Sequence, residues 1–241
     1  MSNGLFGFPS GAATQNRGFT KPTAGSRLNP SHSLASGLRA RYLFNESGVV
    51  IQDYSANCYH LTLSGDWKRV QTPEGMAVNF IKATGKKGNA FVASNLGITN
   101  TFTLWCRFKV TALNAAGALM KLGANNDGIG FGIGDTTMDA AGNKLVALAE
   151  NVVWHPTTVT ITTEYLNIAL TANTIYNRDV IAKTSVYFSN PGNLFSVGGY
   201  TAIGAVERYL DCIVQSVGVW NRALTANELG LLENNPYCDF A

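Results

Sequence analysis

Thr101-Phe102-Thr103-Leu104-Trp105-Cys106-Arg107-Phe108-Lys109-Val110 is the stretch that decides the fold. Phe102, Leu104, Cys106, Phe108 and Val110 face one way, while Thr103, Trp105, Arg107 and Lys109 face the other. Strict alternation is the period of a half-buried β-strand. Upstream, Leu38, Ala40, Tyr42 and Phe44 alternate with Arg39, Arg41 and Leu43, and Asn45-Glu46-Ser47-Gly48 follows as a turn. Further strands are predicted over 76–81, 90–93, 117–122, 129–134, 144–149, 158–163, 165–171, 174–181, 185–189, 194–199 and 210–220. Between them stand the turn signals Asn125-Asn126-Asp127-Gly128, Gly134-Asp135, Ala141-Gly142-Asn143 and Asn190-Pro191-Gly192-Asn193. Strands at this spacing suit an antiparallel sandwich or barrel. One short helix is signalled by the Thr225-Ala226-Asn227-Glu228 capping box, with Leu229, Leu231 and Leu232 as its apolar face.

Composition agrees with a β-protein. Of 241 residues 46% are hydrophobic, enough for a core, and only 14% are charged. The average soluble domain carries roughly 25% charged residues, so this surface is mostly Ser, Thr, Asn and Gly. Formal net charge is +3, unevenly placed: residues 1–40 hold Arg17, Lys21, Arg27 and Arg39 and no acid. This excess suits docking on an acidic protein surface. It lacks the clustered basic stripe of a nucleic-acid-binding domain. No run of apolar residues approaches a membrane span. The first residues lack a basic n-region and an apolar h-region, so no secretory leader is expected. Cys58, Cys106, Cys212 and Cys238 are then expected to be free thiols.

Residues 1–37 read as an extended N-terminal arm, rich in Gly, Pro, Ser, Thr and Asn, and residues 38–241 as one sandwich domain. Within the arm Leu5, Phe6, Phe8 and Phe19 are isolated large apolar groups. Each gains roughly 1.5–3 kcal/mol by burial, so the arm is expected to be pinned to its own domain or to a neighbour. Leu5, Phe6, Phe8, Arg17 and Phe19 are the candidate partner-binding residues.

Segments along the chain resemble the laminin-G-like, concanavalin-A-like jelly-roll family. They are Ala40-Arg41-Tyr42-Leu43-Phe44-Asn45-Glu46 with Asp53-Tyr54-Ser55-Ala56-Asn57 and His60-Leu61-Thr62-Leu63-Ser64-Gly65, then Thr101-Phe102-Thr103-Leu104-Trp105, then Val217-Gly218-Val219-Trp220-Asn221-Arg222-Ala223-Leu224-Thr225 with Glu228-Leu229. The resemblance implies an all-β fold: a concanavalin-A-like (laminin-G-like) antiparallel β-sandwich jelly roll with an extended N-terminal arm and one short C-terminal helix. The lead-in from Lys21 to Asn29, with His32 to Leu38, is similar to that of tailed-phage virion members of the family. That similarity implies a non-enzymatic structural protein, a capsid decoration or auxiliary protein assembled into the virion in the bacterial cytoplasm. Its implied partners are other virion proteins, above all the major capsid protein, and further copies of itself. The alternative is a carbohydrate-binding adhesion module that takes surface glycans.

The chemistry of the sequence points away from catalysis. Glycosidases on this jelly roll set two carboxylates on one strand face, flanking the scissile bond. No such pair occurs here; Glu150 and Glu164 are solitary. His32, His60 and His155 belong to no Gly-x-Ser-x-Gly elbow. His155 precedes Pro156 in a predicted loop. Gly85-Lys86-Lys87-Gly88 is a basic turn without the following helix of a phosphate loop. The glycines 128, 130, 132 and 134 alternate with Ile129, Phe131 and Ile133, which predicts close approach of another backbone or a flat packing face. Asp53, Asp127, Asp135 and Asp211 are scattered at turns and read as turn or cap residues. No cofactor or metal is expected, a single calcium ion being the open alternative. Trp67 and Trp220 read as packing residues. Trp105, outward on its strand, and Trp154, in a loop, are the candidate carbohydrate-stacking residues, with a second packing layer beneath the arm or between subunits as the competing reading.

Overall fold

The alternating stretch forms an eight-residue strand, Thr103–Val110, at the centre of a sheet. The computed structural model of the chain describes residues 19–83, 85–113, 116–123, 128–134, 143–149, 153–172, 174–177, 179–183, 193–201 and 207–241. Its strands are β1 (Leu38–Tyr42), β2 (Val50–Ile51), β3 (Leu61–Ser64), β4 (Trp67–Thr72), β5 (Gly75–Phe80), β6 (Lys82–Ala83), β7 (Lys86–Lys87), β8 (Asn89–Val92), β9 (Thr103–Val110), β10 (Gly117–Leu122), β11 (Ile129–Gly134), β12 (Lys144–Ala149), β13 (Val153–Thr160), β14 (Leu166–Thr171), β15 (Thr174–Asn177), β16 (Asp179–Lys183), β17 (Phe195–Val197), β18 (Gly199–Thr201), β19 (Glu207–Tyr209) and β20 (Cys212–Trp220). One α-helix among the described residues, α1 (Ala226–Asn234), follows. No helix among the described residues is long and apolar enough to cross a membrane.

Two antiparallel sheets of eight strands face each other. The first runs β16-β15-β14-β9-β20-β5-β4, with β1 as its eighth strand paired to β20, and the second β13-β12-β11-β10-β17-β8-β3-β2. The long strand β20 holds the first sheet together. One edge pairs with β9, while the other is shared by β5 at Cys212–Val214 and β1 at Val217–Trp220. The ladder to β9 bulges between Val214 and Ser216, which isolates Gln215. The inward faces build the core. Leu104, Cys106, Phe108 and Val110 of β9 and Val214, Val217 and Val219 of β20 lie in one apolar cluster with Phe131, Leu145, Ala147, Phe195 and Val197 of the second sheet. The fold is an all-β antiparallel sandwich.

The predicted strands 117–122, 129–134 and 144–149 coincide with β10, β11 and β12. The run 174–181 divides into β15 and β16, and the expected strand 185–189 lies outside the described residues. The predicted loop around His155-Pro156 is corrected. Both residues sit in β13, where Pro156 faces Val146. A proline cannot donate to a ladder, so within sheets it is confined to edges, and β13 is the outermost strand of its sheet. The glycines of β11 have a close-approach reason: a Cβ at Gly130 or Gly132 would stand 2.2 Å from a carbonyl oxygen of β10.

The outer face of the first sheet is covered as well. Trp105 and Ala169 of that face, with Trp220, pack against Leu34, Leu224 and Leu232 in a second apolar cluster. Helix α1 begins with the capping box: Thr225 Oγ1 accepts from the Glu228 backbone and Glu228 Oε2 accepts from the Thr225 backbone. Arg222 grips the same carboxylate at 2.7 and 2.8 Å, so the Glu228 carboxyl drops to about 2. Leu232 is buried and Leu229 half-buried, but Leu231, expected on the apolar face, is exposed.

Residues 19–37 are stitched to the sandwich. Lys21 N donates to Glu74 O at 2.8 Å, and Asn29 N donates to Asp239 O at 2.8 Å. Asn45 Nδ2 donates to Pro22 O at 2.7 Å, and Trp220 Nε1 to Leu34 O at 2.7 Å. Leu28 forms an isolated bridge with Phe240. Gly, Ser and Asn here supply turns for a covering layer, because its backbone groups find partners on the sheet and the C-terminal segment.

Candidate functional site

Of the candidate arm residues, Leu5, Phe6, Phe8 and Arg17 lie outside the described residues. Phe19 is half-buried on its own sandwich, its ring 5.8 Å from the guanidinium of Arg107. Trp105 does lie on the outer face of its strand, but it is only 1% exposed. This corrects its reading as a sugar-stacking residue: Leu34, Leu224, Leu232 and the Arg41 guanidinium, 5.1 Å away, occupy that face. Trp154 is in β13, opposite Leu148, rather than in a loop. Its side chain lies outside the described residues.

The buried charges on the covered face are tied into pairs. Arg107 donates through Nε to both carboxylate oxygens of Glu74, at 3.0 and 2.9 Å, and Tyr237 donates to Glu74 Oε2 at 2.8 Å. Arg41, fully buried, makes a two-point contact with Asp239 at 2.8 and 3.0 Å. Lys21 Nζ donates to Met76 O at 2.5 Å in the same layer, and burial pulls its amine down to about 7. Asp53 accepts from the backbone of Arg41, Ser55 and Tyr59 at 2.8–2.9 Å, which makes it a turn residue. His60 Nδ1 accepts from Asp53 N, and His32 Nδ1 from Leu34 N. Asp127 and Asp135 lie outside the described residues. All four cysteines are free thiols; Cys106 and Cys212 are buried, and burial pushes both upward.

An open concavity lies elsewhere, at the end of the sandwich. It has a volume of ≈ 150 Å³ and is lined by Lys82, Ala83, Gly85, Lys86, Lys87 and Tyr209. The hairpin β6–β7 forms its wall, with Lys82 opposite Lys87 and Ala83 opposite Lys86. Two carboxylates fix the hairpin through its backbone. Asp211 Oδ1 accepts from Lys82 N at 2.7 Å, and Asp66 Oδ2 accepts from Lys87 N at 3.1 Å. Close backbone crossings complete the anchorage: a Cβ at Gly65 would stand 1.8 Å from Lys87 O, and one at Gly88 1.8 Å from Asp66 O. Lys82 Nζ is held by Ala116 O at 2.6 Å. Reading 85–88 as a failed phosphate loop passed over this site. The available signal was three lysines in six residues around a glycine turn.

The sequence matches no family model and no curated protein. Solved structures do share the fold. A Trypanosoma rangeli sialidase in complex with sialic acid superposes with a TM-score of 0.61 at 19% identity, over 82% of this chain and 32% of that one. Domain 4 of AbnA, a GH43 extracellular arabinanase from Geobacillus stearothermophilus in complex with arabinotriose, gives 0.61 at 13% identity, over 80% of this chain and 96% of that domain. The binding domain of Botulinum Neurotoxin DC in complex with SialylT gives 0.59 at 13% identity, over 84% and 52%. The chain thus spans about a third of the sialidase it matches. At these identities the likeness is one of fold.

Proposed function

We propose that this protein is a non-catalytic carbohydrate-binding module. The observation that carries the reading is the match in extent with the arabinanase domain, 96% of which is covered and which was solved with arabinotriose bound. The buried carboxylates support a binding role over hydrolysis. Glu74 is engaged by Arg107 and Tyr237, Asp239 by Arg41, and Asp53 by backbone amides. Hydrolysis of a glycoside instead needs two carboxyl groups about 5–9.5 Å apart across an accessible bond. The cavity at the hairpin is the candidate sugar site. The test is a glycan array followed by calorimetric titration of the best hit. The expected result is binding with a Kd of about 1 mM or tighter, without bond cleavage. Silence across the array, or turnover of a bound glycan, overturns the reading.

The virion reading is the second one, and it rests on the resemblance of the lead-in from Lys21 to Asn29, with His32 to Leu38, to that of tailed-phage virion proteins. In this reading the sandwich is the exposed body of a capsid decoration protein, with the major capsid protein as partner. Deleting residues 2–16 is expected to abolish particle association while leaving the thermal melt unchanged. Particles that still carry the truncated protein would exclude the arm as the anchor.

A further inference from the structure

We infer that residues 19–36 form a strap over the first sheet that acid releases while the sandwich beneath stays folded. Of these residues only Lys21 and Leu34 are buried; the others are half-buried or exposed. The strap is therefore held by two points, and a group that responds to protons sits at each. Lys21 is the first point. Its amine donates to Met76 O at 2.5 Å, and its backbone N–H donates to Glu74 O at 2.8 Å. Four charged groups act on the amine. Glu74, in the turn before β5, and Glu46, after β1, favour a proton there, while Arg107 of β9 and Arg69 of β4 oppose one. The Glu74 carboxylate is already bonded by Arg107 and Tyr237. Burial outweighs the two acids and holds the amine down to about 7, so a neutral amine is the form that fits and acid puts a charge under the strap. Leu34 is the second point. It packs on Trp105 and Trp220, and its carbonyl accepts from Trp220 Nε1 at 2.7 Å. His32 sets it there by capping the 3₁₀ turn Ser33–Ala35: His32 Nδ1 accepts from Leu34 N at 3.2 Å. An imidazole nitrogen accepts only while it carries no proton, and in the imidazolium both nitrogens donate. Protonation thus sets a donor against a donor. Histidine side chains change charge between about pH 5 and 8. Against this turn lie Arg222, which donates to Ser33 O and Ser36 O and is paired with Glu228, and Asp239, which is paired with Arg41 and accepts from Asn29 N through its carbonyl. Both of these carboxylates are already engaged. On the strap itself the other charged side chain, Arg27, is exposed. The ladders of β9 to β14 and β20 are backbone hydrogen bonds that do not titrate, so the strap opens before they do. Release takes Leu34 off Trp105 and Trp220 and opens part of an apolar face that is shut at neutral pH.

The experiment is hydrogen exchange on the full chain at pH 7.5, 6.5 and 5.5, read as protection factors against the intrinsic rate at each pH. Peptides within 19–36 are compared with peptides from β9 and β20. The parent is run beside Lys21→Met, His32→Asn and the double variant, with thermal melts at pH 7.5 to show that each is folded. Asparagine keeps an N-cap acceptor that takes up no proton. Protection over 19–36 is expected to fall at least about tenfold between pH 7.5 and 5.5, the effect of one unit of pKa difference, and to recover on return to pH 7.5. Protection in β9 and β20 is expected to hold. Each single variant is expected to make the fall shallower, and the double variant to abolish it. Protection over 19–36 that does not change with pH in the parent overturns the inference. So does a fall as deep in the double variant as in the parent. An equal fall in β9 and β20 overturns it as well, because the whole sandwich then opens. If Lys21→Met does not fold, His32→Asn decides alone: a shallower fall than the parent's supports the strap and an equal one overturns it.

Discussion

Replacing Asp239 with alanine is expected to lower stability by about 3–5 kcal/mol, the cost of leaving a buried charge without its partner. Arg41 is fully buried, and its guanidinium lies between Trp105 at 5.1 Å and Phe240 at 5.3 Å. Asp239 supplies the only formal negative charge among its hydrogen-bond partners in the described residues; Ser216 Oγ, Val217 O and Pro236 O are neutral. The pair also joins residues 198 apart in sequence. It fastens the last residues of the chain to β1. Asn29 and Leu28 bond to that same C-terminal stretch, so the lead-in is fastened with it. For a chain of this size each kcal/mol moves the melting temperature by about 2–4 °C, so a fall of about 10 °C is expected. The double change Arg41→Met/Asp239→Leu removes both charges and is expected to cost much less than Asp239→Ala alone. If the single variant melts within about 2 °C of the parent, the C-terminal segment is not held by this pair.

That pair also shows what a local reading of sequence can and cannot reach. Alternation in 102–110 located β9 and its inward face, because a strand's period is set by its own backbone. The capping box located the start of α1 for the same reason: both partners lie within one turn. Arg41 and Arg107 lie opposite the inward face, on the side whose covering the alternation does not reveal. They are buried because a third layer, residues 19–37 with α1 and the C-terminal segment, covers the first sheet. Their carboxylate partners come from remote segments, which no window of sequence contains. The same layer turns Trp105 from a candidate platform into a core residue. Pro156 misled differently. It reads as a strand breaker until the sheet order shows that its strand is an edge. The lysine-lined cavity was legible in composition, since Lys82, Lys86 and Lys87 fall within six residues. Its concavity was not, because Tyr209 reaches it through a strand far along the chain.

Stability is expected to rise as pH increases from about 7 toward 10, and Lys21 is the reason. Burial pulls its amine from the ordinary 10.5 down to about 7; Glu74 and Glu46 pull it back up, while Arg107 and Arg69 push it further down. Between those two values the unfolded chain holds a proton that the folded chain has released. A stability contribution of this sign is fully present above the unfolded value and is lost as pH falls through the folded one. Each pH unit separating the folded from the unfolded amine is worth about 1.36 kcal/mol, so the rise across this window is on the order of 4 kcal/mol. The rise ends near pH 10. There Tyr54, pushed to about 12 by burial and then by Glu46, begins to act in the opposite sense, since the unfolded phenol ionises first. Denaturant melts between pH 6.5 and 9.5 measure the slope; Lys21→Met, which keeps the chain's bulk and removes the amine, is expected to flatten it. A slope unchanged in that variant would assign the effect to other groups. The location of Lys21 gives the titration a local consequence. Its backbone N–H bonds Glu74 O and its ammonium nitrogen bonds Met76 O, so it pins the start of the covering layer to β5 and the turn before it. Below pH 7 a charge must be held in that buried place, or the layer must lift. The protection factor of the Lys21 amide, taken against its intrinsic rate at each pH, is therefore expected to fall on acidification before those in β9 do, because the sheet beneath the layer keeps its own ladder.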